Sequence, residues 1–324
     1  DALPVYVQTQ GAYVGKEGEV LVIKEKGVKV AEARLFETSQ LCLLGNVQVT
    51  AQAIHELCRI GVPIVHCSSG GWFYGITLGS MNKNVEIRLC QYAAASDPVR
   101  SLGLARRFVA SKIRNCRTML RRNAESVDDE TLRRLKELSE EAADAKSVES
   151  LLGVEGAAAK VYFGAFPHML KRLAAVDTFS FEGRNRRPPK DPVNAMLSLA
   201  YSLLVKDLAV TAAGAGLDPF LGFYHRPRYG RPSLALDLME EFRPLVADST
   251  VIGAINTGVV GPGSFVRAGD GVALKPTARR AFILAYERRM GQLVRHPVFG
   301  YRISYRRVLD VQVRLLGRFL SGEI

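Results

Sequence analysis

The sequence predicts an α+β protein: an N-terminal β-rich domain over residues 1–95, followed by a C-terminal all-α domain over residues 96–324. Three observations carry this. Up to about residue 90, short runs rich in β-branched residues alternate with glycine-containing turns. From Asp97-Pro98 onward, apolar residues recur at helical spacing almost without a break. The 324 residues, 48% of them hydrophobic, supply enough material for two packed cores.

PVYVQ, EVLVIKE and VKVAEARL read as strands, and LCLLGNVQVT follows them. AQAIHELCRI has helical spacing, with Ala53, Ile54, Leu57 and Cys58 on one side, and Gly61 ends it. VPIVHC and WFYGITL read as two further strands, which makes His66-Cys67 part of a buried strand. Pro98 suits the first turn of a helix running to about Asn123. Further helices begin at Asp128-Asp129, span about 147–175 and 191–216, begin near Ser233, and lie at about 276–290 and 301–320. FVRAGDGVAL reads as a small hairpin with Gly-Asp-Gly at its tip.

Composition narrows the functional classes. No stretch approaches the roughly 20 apolar residues of a membrane helix, so no membrane role is expected. The opening DALPVYVQTQ lacks the basic start and apolar run of a signal peptide. It also lacks an initiator Met, as expected of a trimmed chain or a piece of a longer polypeptide. The five cysteines are odd in number and form no C-x-x-C pair, which argues against a disulfide framework and a structural zinc site. A reduced, cytoplasmic protein is the expectation.

Lys and Arg total 44 against 32 Asp and Glu, a net charge of +12, which favours an anionic partner. The charge is organised. Arg107, Arg114, Arg117 and Arg121 are spaced to share one face of the first long helix, opposite Leu104, Phe108, Cys116 and Met119. A second cluster, GRNRRPPKDP, holds Arg184, Arg186, Arg187 and Lys190. A third, HRPRYGRP, places Arg226, Arg228 and Arg231 around Tyr229. Arginine clamps phosphates bidentately and tyrosine stacks on bases, so these residues are the expected nucleic-acid contacts.

One constellation points to chemistry. His225 stands in LGFYHRPRYG, and Asp237 and Glu240 lie three apart in SLALDLMEEFRPL, so both carboxylates can share a helix face. Glu155 is the lone acid in the small, apolar run GVEGAAA, where an uncompensated charge is costly. Carboxylates with an imidazole suit Mg²⁺ or Mn²⁺. No G-x-S-x-G elbow, phosphate-cradling G-x-x-x-x-G-K-[ST] or H-E-x-x-H is present.

VEGAAAKVYF, FEGRNRRPPKDPVNAMLSLAYSLL, GFYHRPRYGRPSLALDLMEEFRPL and YRRVLDVQVRLLGRFL together resemble the CRISPR-associated adaptation integrase, over essentially the whole chain. The resemblance implies an N-terminal domain that forms a homodimer and a helical catalytic domain. It implies a metal held by Glu155, His225 and Glu240, with Asp237 at a nearby acidic position sometimes counted with the site. It implies DNA partners (prespacer and CRISPR repeat or leader) and a small ferredoxin-like adaptation partner. It also includes a variation in which the integrase is fused behind a prespacer-trimming exonuclease. The implied reaction is metal-dependent transesterification that inserts spacer DNA into a CRISPR array, in antiviral defence. The alternatives are a stand-alone structure-selective nuclease and a non-catalytic nucleic-acid-binding subunit.

Phosphate contacts carry no base information. Reversing Arg107, Arg114 and Arg121 to Glu is therefore expected to weaken binding to every DNA sequence alike. The log–log salt slope should flatten by about 0.9 for each lost contact. Measuring Kd against salt checks this; unchanged affinity and slope would make the stripe an ordinary solvated face.

Overall fold

The protein is described here from a computed structural model, which covers residues 2–80, 82, 84–171, 179, 181–185, 188–296 and 298–324. The chain divides into one unit ending at Val85 and another beginning at Glu86.

The first unit contains β1 (Leu3–Val7), β2 (Tyr13–Glu17), β3 (Val20–Glu25), β4 (Val28–Arg34), β5 (Thr38–Leu44), β6 (Gln48–Val49), α1 (Ala51–Arg59), β7 (Ile64–Cys67) and β8 (Phe73–Thr77). They form two sheets, β1-β5-β7-β8 and β4-β3-β2-β6. β1, β5 and β7 run parallel, and β5 lies between its partners. That position explains the unbroken apolar run Leu41–Leu44, which is buried throughout. Val14, Leu21, Ile23, Leu41, Leu57 and Ile64 belong to one core that both sheets and α1 share. The sequence reading missed β2, because Gly15, Lys16 and Glu17 dilute its pattern. A two-residue turn with Gly18 at φ +59° joins β2 to β3.

The second unit is mostly helical: α2 (Val85–Ser96), α3 (Pro98–Asn123), α4 (Asp129–Asp144), α5 (Val148–Ala165), α6 (Pro192–Gly214), α7 (Ser233–Phe242), α8 (Ser249–Asn256), α9 (Pro276–Gly291) and α10 (Tyr305–Leu320). It is not all-α. β9 (Phe265–Ala268) pairs with β10 (Gly271–Leu274) in the expected hairpin, and β11 (Leu293–Arg295) pairs with β12 (Arg302–Ser304). The division also falls earlier than the composition shift near residue 95. Asp97-Pro98 does start a helix: the Asp97 carboxylate accepts from the Val99 and Arg100 amides, and Pro98 occupies the first turn. It separates α2 from α3, however, rather than one domain from the next.

Two further expectations change. The helix expected over 147–175 ends at Ala165, and a 3₁₀ turn, Phe166–Met169, follows where Pro167 removes a backbone donor. Residues 172–178 lie outside the described residues. In addition, α6 is one helix long and apolar enough to cross a membrane, contrary to the reading from composition. It is buried on almost every side, as a central core helix is. It also carries the buried pair Lys206–Asp207 at 2.7 Å, with the Tyr286 hydroxyl donating to Asp207.

Asp248 ties this core together. It ends a π-helical segment, Arg243–Asp248, that follows α7. The hydroxyls of Tyr162 on α5 and Tyr201 on α6 donate to its two oxygens at 2.9 and 2.7 Å. Burial pushes this carboxyl up to about 6. A carboxyl with a folded pKa above its unfolded value binds its proton more tightly when folded. Its contribution is fully present below the unfolded pKa of about 3.9 and is lost as pH rises through about 6. Between pH 4 and 7, urea unfolding should show a loss of about 3 kcal/mol that Asp248→Asn removes. Identical pH profiles for the two proteins would refute it.

Candidate metal centre

Four segments of the helical unit converge on one charged cluster. α3 contributes Lys112, α5 contributes Glu155, α7 contributes Asp237 and Glu240, and the loop before α7 contributes His225. The Lys112 ammonium touches a Glu155 oxygen and lies 2.7 Å from Glu240 Oε2. His225 Nε2 stands 3.7 Å from Glu240 Oε1, and Arg243 Nη2 reaches the same oxygen at 3.0 Å. The structure thus brings Glu155 and Glu240 together on Lys112, with His225 beside Glu240.

Lys112 escaped the sequence reading, yet its signal is legible. It sits four residues after Phe108 and four before Cys116, on the apolar face of α3. A lone lysine in a core stripe needs counter-charges. Its side chain is 10% exposed, and burial works against its charge. Glu240 and Glu155 outweigh that and raise its pKa above the ordinary lysine value. Glu240 is the reciprocal case. Burial opposes its ionisation, but Arg243 and Lys112 hold it down at about 2.

Asp237 is held by the loop that carries His225. It is fully buried, and both its oxygens are committed. Oδ2 accepts from the amides of Phe223 and Tyr224 at 2.6 and 3.0 Å, and Oδ1 accepts from the His225 amide at 2.8 Å. The His225 ring Nδ1 lies 2.7 Å from Oδ1, so Nδ1 donates to this carboxylate and Nε2 faces Glu240. Both Asp237 oxygens are thus engaged by the loop amides and the imidazole. The loop is fastened elsewhere too. Buried Gln91 donates to the Asp218 and Leu221 carbonyls, and Ser101 donates to Phe223 O. Gly222 permits the close approach: a Cβ there would stand 2.7 Å from Asp237 Oδ2.

The donor set fits a hard divalent cation. Two carboxylates and a pre-oriented imidazole are the ligand chemistry Mn²⁺ and Mg²⁺ accept. The Tyr224 hydroxyl is buried and has no hydrogen-bond partner. Gly153 and Gly156 have open space where a Cβ would stand, so the face beside Glu155 is accessible to a strand. Among the described residues, no group of three or more His, Cys, Asp or Glu side chains is assembled to hold a metal, and Lys112 contacts both Glu155 and Glu240.

The basic clusters fare unequally. Arg107, Arg114 and Arg121 are exposed along α3, with Arg107 also 5.3 Å over the Phe319 ring. Arg117 leaves this stripe: it faces α4 and donates to the Leu132 carbonyl at 2.9 Å. Its spacing from the heptad-related three rotates it towards the packed neighbour. Arg184 braces the start of α6, donating to Asn194 at 2.6 Å and Ser198 at 3.2 Å beneath Tyr201. Arg186 and Arg187 lie outside the described residues. Lys190, Arg228 and Tyr229 are exposed, Arg231 is half-buried, and Arg226 pairs with Glu149 of α5 at the surface.

Paired sheets followed by a helical unit that gathers carboxylates, an imidazole and buried cations define a Cas1-like architecture. A casposase solved bound to its integration product shares the fold over 99% of this chain and 91% of its own, with a TM-score of 0.85 at 24% identity. A Cas1 protein from Thermotoga maritima shares it over 99% and 97%, with a TM-score of 0.83 at 23% identity. The chain belongs to the family described as CRISPR associated protein Cas1, which matches residues 5–288. It is 53% identical to a CRISPR-associated exonuclease Cas4/endonuclease Cas1 fusion of Geobacter sulfurreducens, over 99% of this chain and 59% of that protein. It is 40% identical to a CRISPR-associated endonuclease Cas1 of Thermus thermophilus, over 99% and 94%. The chain thus spans a little over half the length of the fusion relatives it matches.

Glu240 is 2% exposed and faces two cations, whereas Glu155 is 25% exposed. Glu240→Ala should therefore destabilise the fold by about 3–5 kcal/mol, by stranding Lys112 and Arg243. Glu155→Ala should cost about 1 kcal/mol or less. Equal losses in urea unfolding would refute this ordering.

Proposed function

We propose that this chain is a metal-dependent DNA endonuclease and integrase that inserts spacer DNA into a CRISPR array by transesterification. The carrying observation is that three separate segments bring Glu155 and Glu240 onto one buried lysine and His225 Nε2 to within 3.7 Å of Glu240. Family membership supports the reading: relatives are named CRISPR-associated endonucleases, and one structural neighbour is a casposase bound to an integration product.

Glu155, Glu240 and His225, through Nε2, would hold the metal. When bound, Mg²⁺ or Mn²⁺ lowers the pKa of an attacking hydroxyl and neutralises charge building on the phosphate. The reaction forms a bond from a DNA 3′-oxygen to phosphorus and breaks the bond to the strand that leaves. The proton lost by the nucleophile is balanced by one gained at the departing oxygen. With water as nucleophile, the same site hydrolyses DNA. Asp237 keeps the imidazole in the orientation that presents Nε2. Arg228 and Lys190, both exposed, are placed by the reading to hold phosphates.

The wider assembly belongs to the same proposal. A homodimer would form through the first unit, where Val28 and Val30 on edge strand β4, and Phe36 after it, are exposed. A second adaptation protein and a prespacer-trimming exonuclease are supported as partners by relatives named as Cas4/Cas1 fusions and by neighbours solved in a Cas6-RT-Cas1–Cas2 complex. A cytoplasmic location accords with five free cysteines.

Glu155→Ala and His225→Ala are each expected to lower joining of a 3′-hydroxyl DNA to a repeat duplex by at least about 100-fold. EDTA should abolish it, and Mn²⁺ restore it. Single-turnover assays on branched and linear DNA decide the reading. Cleavage of branched DNA without joining would make the chain a structure-selective nuclease. Undiminished DNA binding with neither activity, under any metal, would make it a binding subunit.

A further inference from the structure

Lys112 and a divalent metal compete for the same oxygens. The ammonium touches Glu155 Oε1 and lies 2.7 Å from Glu240 Oε2. The other Glu240 oxygen faces Arg243 at 3.0 Å and His225 Nε2 at 3.7 Å. A Mg²⁺ or Mn²⁺ ion binds carboxylate oxygens at about 2.1 Å and carries twice the charge. An ammonium cannot stay in contact with both oxygens beside it: the repulsion at such separations is several kcal/mol even with effective protein screening.

We propose that Lys112 is a built-in placeholder cation, which clamps Glu155 to Glu240 and is expelled when a divalent metal binds them. The proposal rests on the metal reading above. It accounts for a buried lysine on the apolar face of α3, a position where leucine would pack at no electrostatic cost. Without a cation there, Glu155 and Glu240 would repel across a buried gap. The lysine thus keeps the two carboxylates assembled and lowers metal affinity until metal is abundant enough to displace it. Held by Asp237, the imidazole does not depend on the exchange.

The test has two arms, neither of which measures activity. In the first, MnCl₂ is titrated calorimetrically into the wild-type chain and into Lys112→Met, without DNA. The variant should bind Mn²⁺ at least about tenfold more tightly, and its melting temperature in EDTA should fall. In the second, the wild-type chain is acylated with acetic anhydride with and without saturating Mn²⁺, and the Lys112 peptide is quantified by mass spectrometry. Metal should raise modification of Lys112 several-fold. Equal or weaker Mn²⁺ binding by Lys112→Met, or unchanged acylation of Lys112 in the Mn²⁺-saturated wild type, would overturn the proposal. Should Lys112→Met fail to fold, the acylation arm decides alone. If the wild-type and Glu155→Gln chains give the same Mn²⁺ titration, no metal binds at these residues; the metal reading then fails, and the placeholder falls with it.

Discussion

Glu240 lies where water does not reach, between Lys112 of α3 and Arg243 of the π-helical segment. A carboxylate in that position survives as an anion only because cations are brought to it, and Glu240 in turn helps to keep both cations charged. The packing of α3 against α7 is therefore an electrostatic requirement as well as an apolar one. The backbone accommodates it locally. Immediately after α7 the helix widens into π geometry over Arg243–Asp248, a distortion that recurs at functional sites. This segment carries Arg243 at one end, reaching back to Glu240, and Asp248 at the other, held by Tyr162 and Tyr201. One irregular turn serves both the charged cluster and the aromatic core behind it.

The imidazole is built on a different principle. His225 lies on a loop, normally a poor base for precise placement. Here a single carboxylate replaces regular secondary structure: Asp237 accepts three consecutive amides and the ring Nδ1. Gln91 and Ser101 fix the approach to it. The loop reaches helix-like order because its backbone donors have a buried anion to point at. The close contact this demands is open to Gly222 and closed to any residue with a Cβ.

The net charge of +12 conflates two populations of cations. Lys112, Arg243 and Arg184 hold the interior together and meet carboxylates, carbonyls or aromatic rings. Arg107, Arg114, Arg121, Lys190 and Arg228 face solvent and are free to meet phosphate. The two groups are indistinguishable by composition. Exposure separates them, and it moves Arg117 and Arg184 from the surface set towards the structural one.

Much was determined by the sequence alone, because it depends on local chemistry. The caps at Asp97 and Asp191, the long apolar faces of α3 and α6, and the hairpin around Gly269-Asp270 follow from neighbouring residues. Glu155, His225 and Glu240 were legible as charges in segments that otherwise exclude or oppose them. Strand β2 and helix α2 were not: the first is diluted by glycine and charge, and the start signal of the second, Asn84 before Val85 with Glu86 in the first turn, was passed over. Asp237 and Glu240, three residues apart on one helix, carry the same functional group, and their spacing alone does not separate their parts. Only the tertiary structure gave one of them three amides and a ring nitrogen and the other two buried cations. Lys112 lies 43 residues from Glu155 along the chain, and nothing local requires them to meet. The packing of α3, α5 and α7 decides that, because electrostatic partners are chosen by distance in space rather than in sequence.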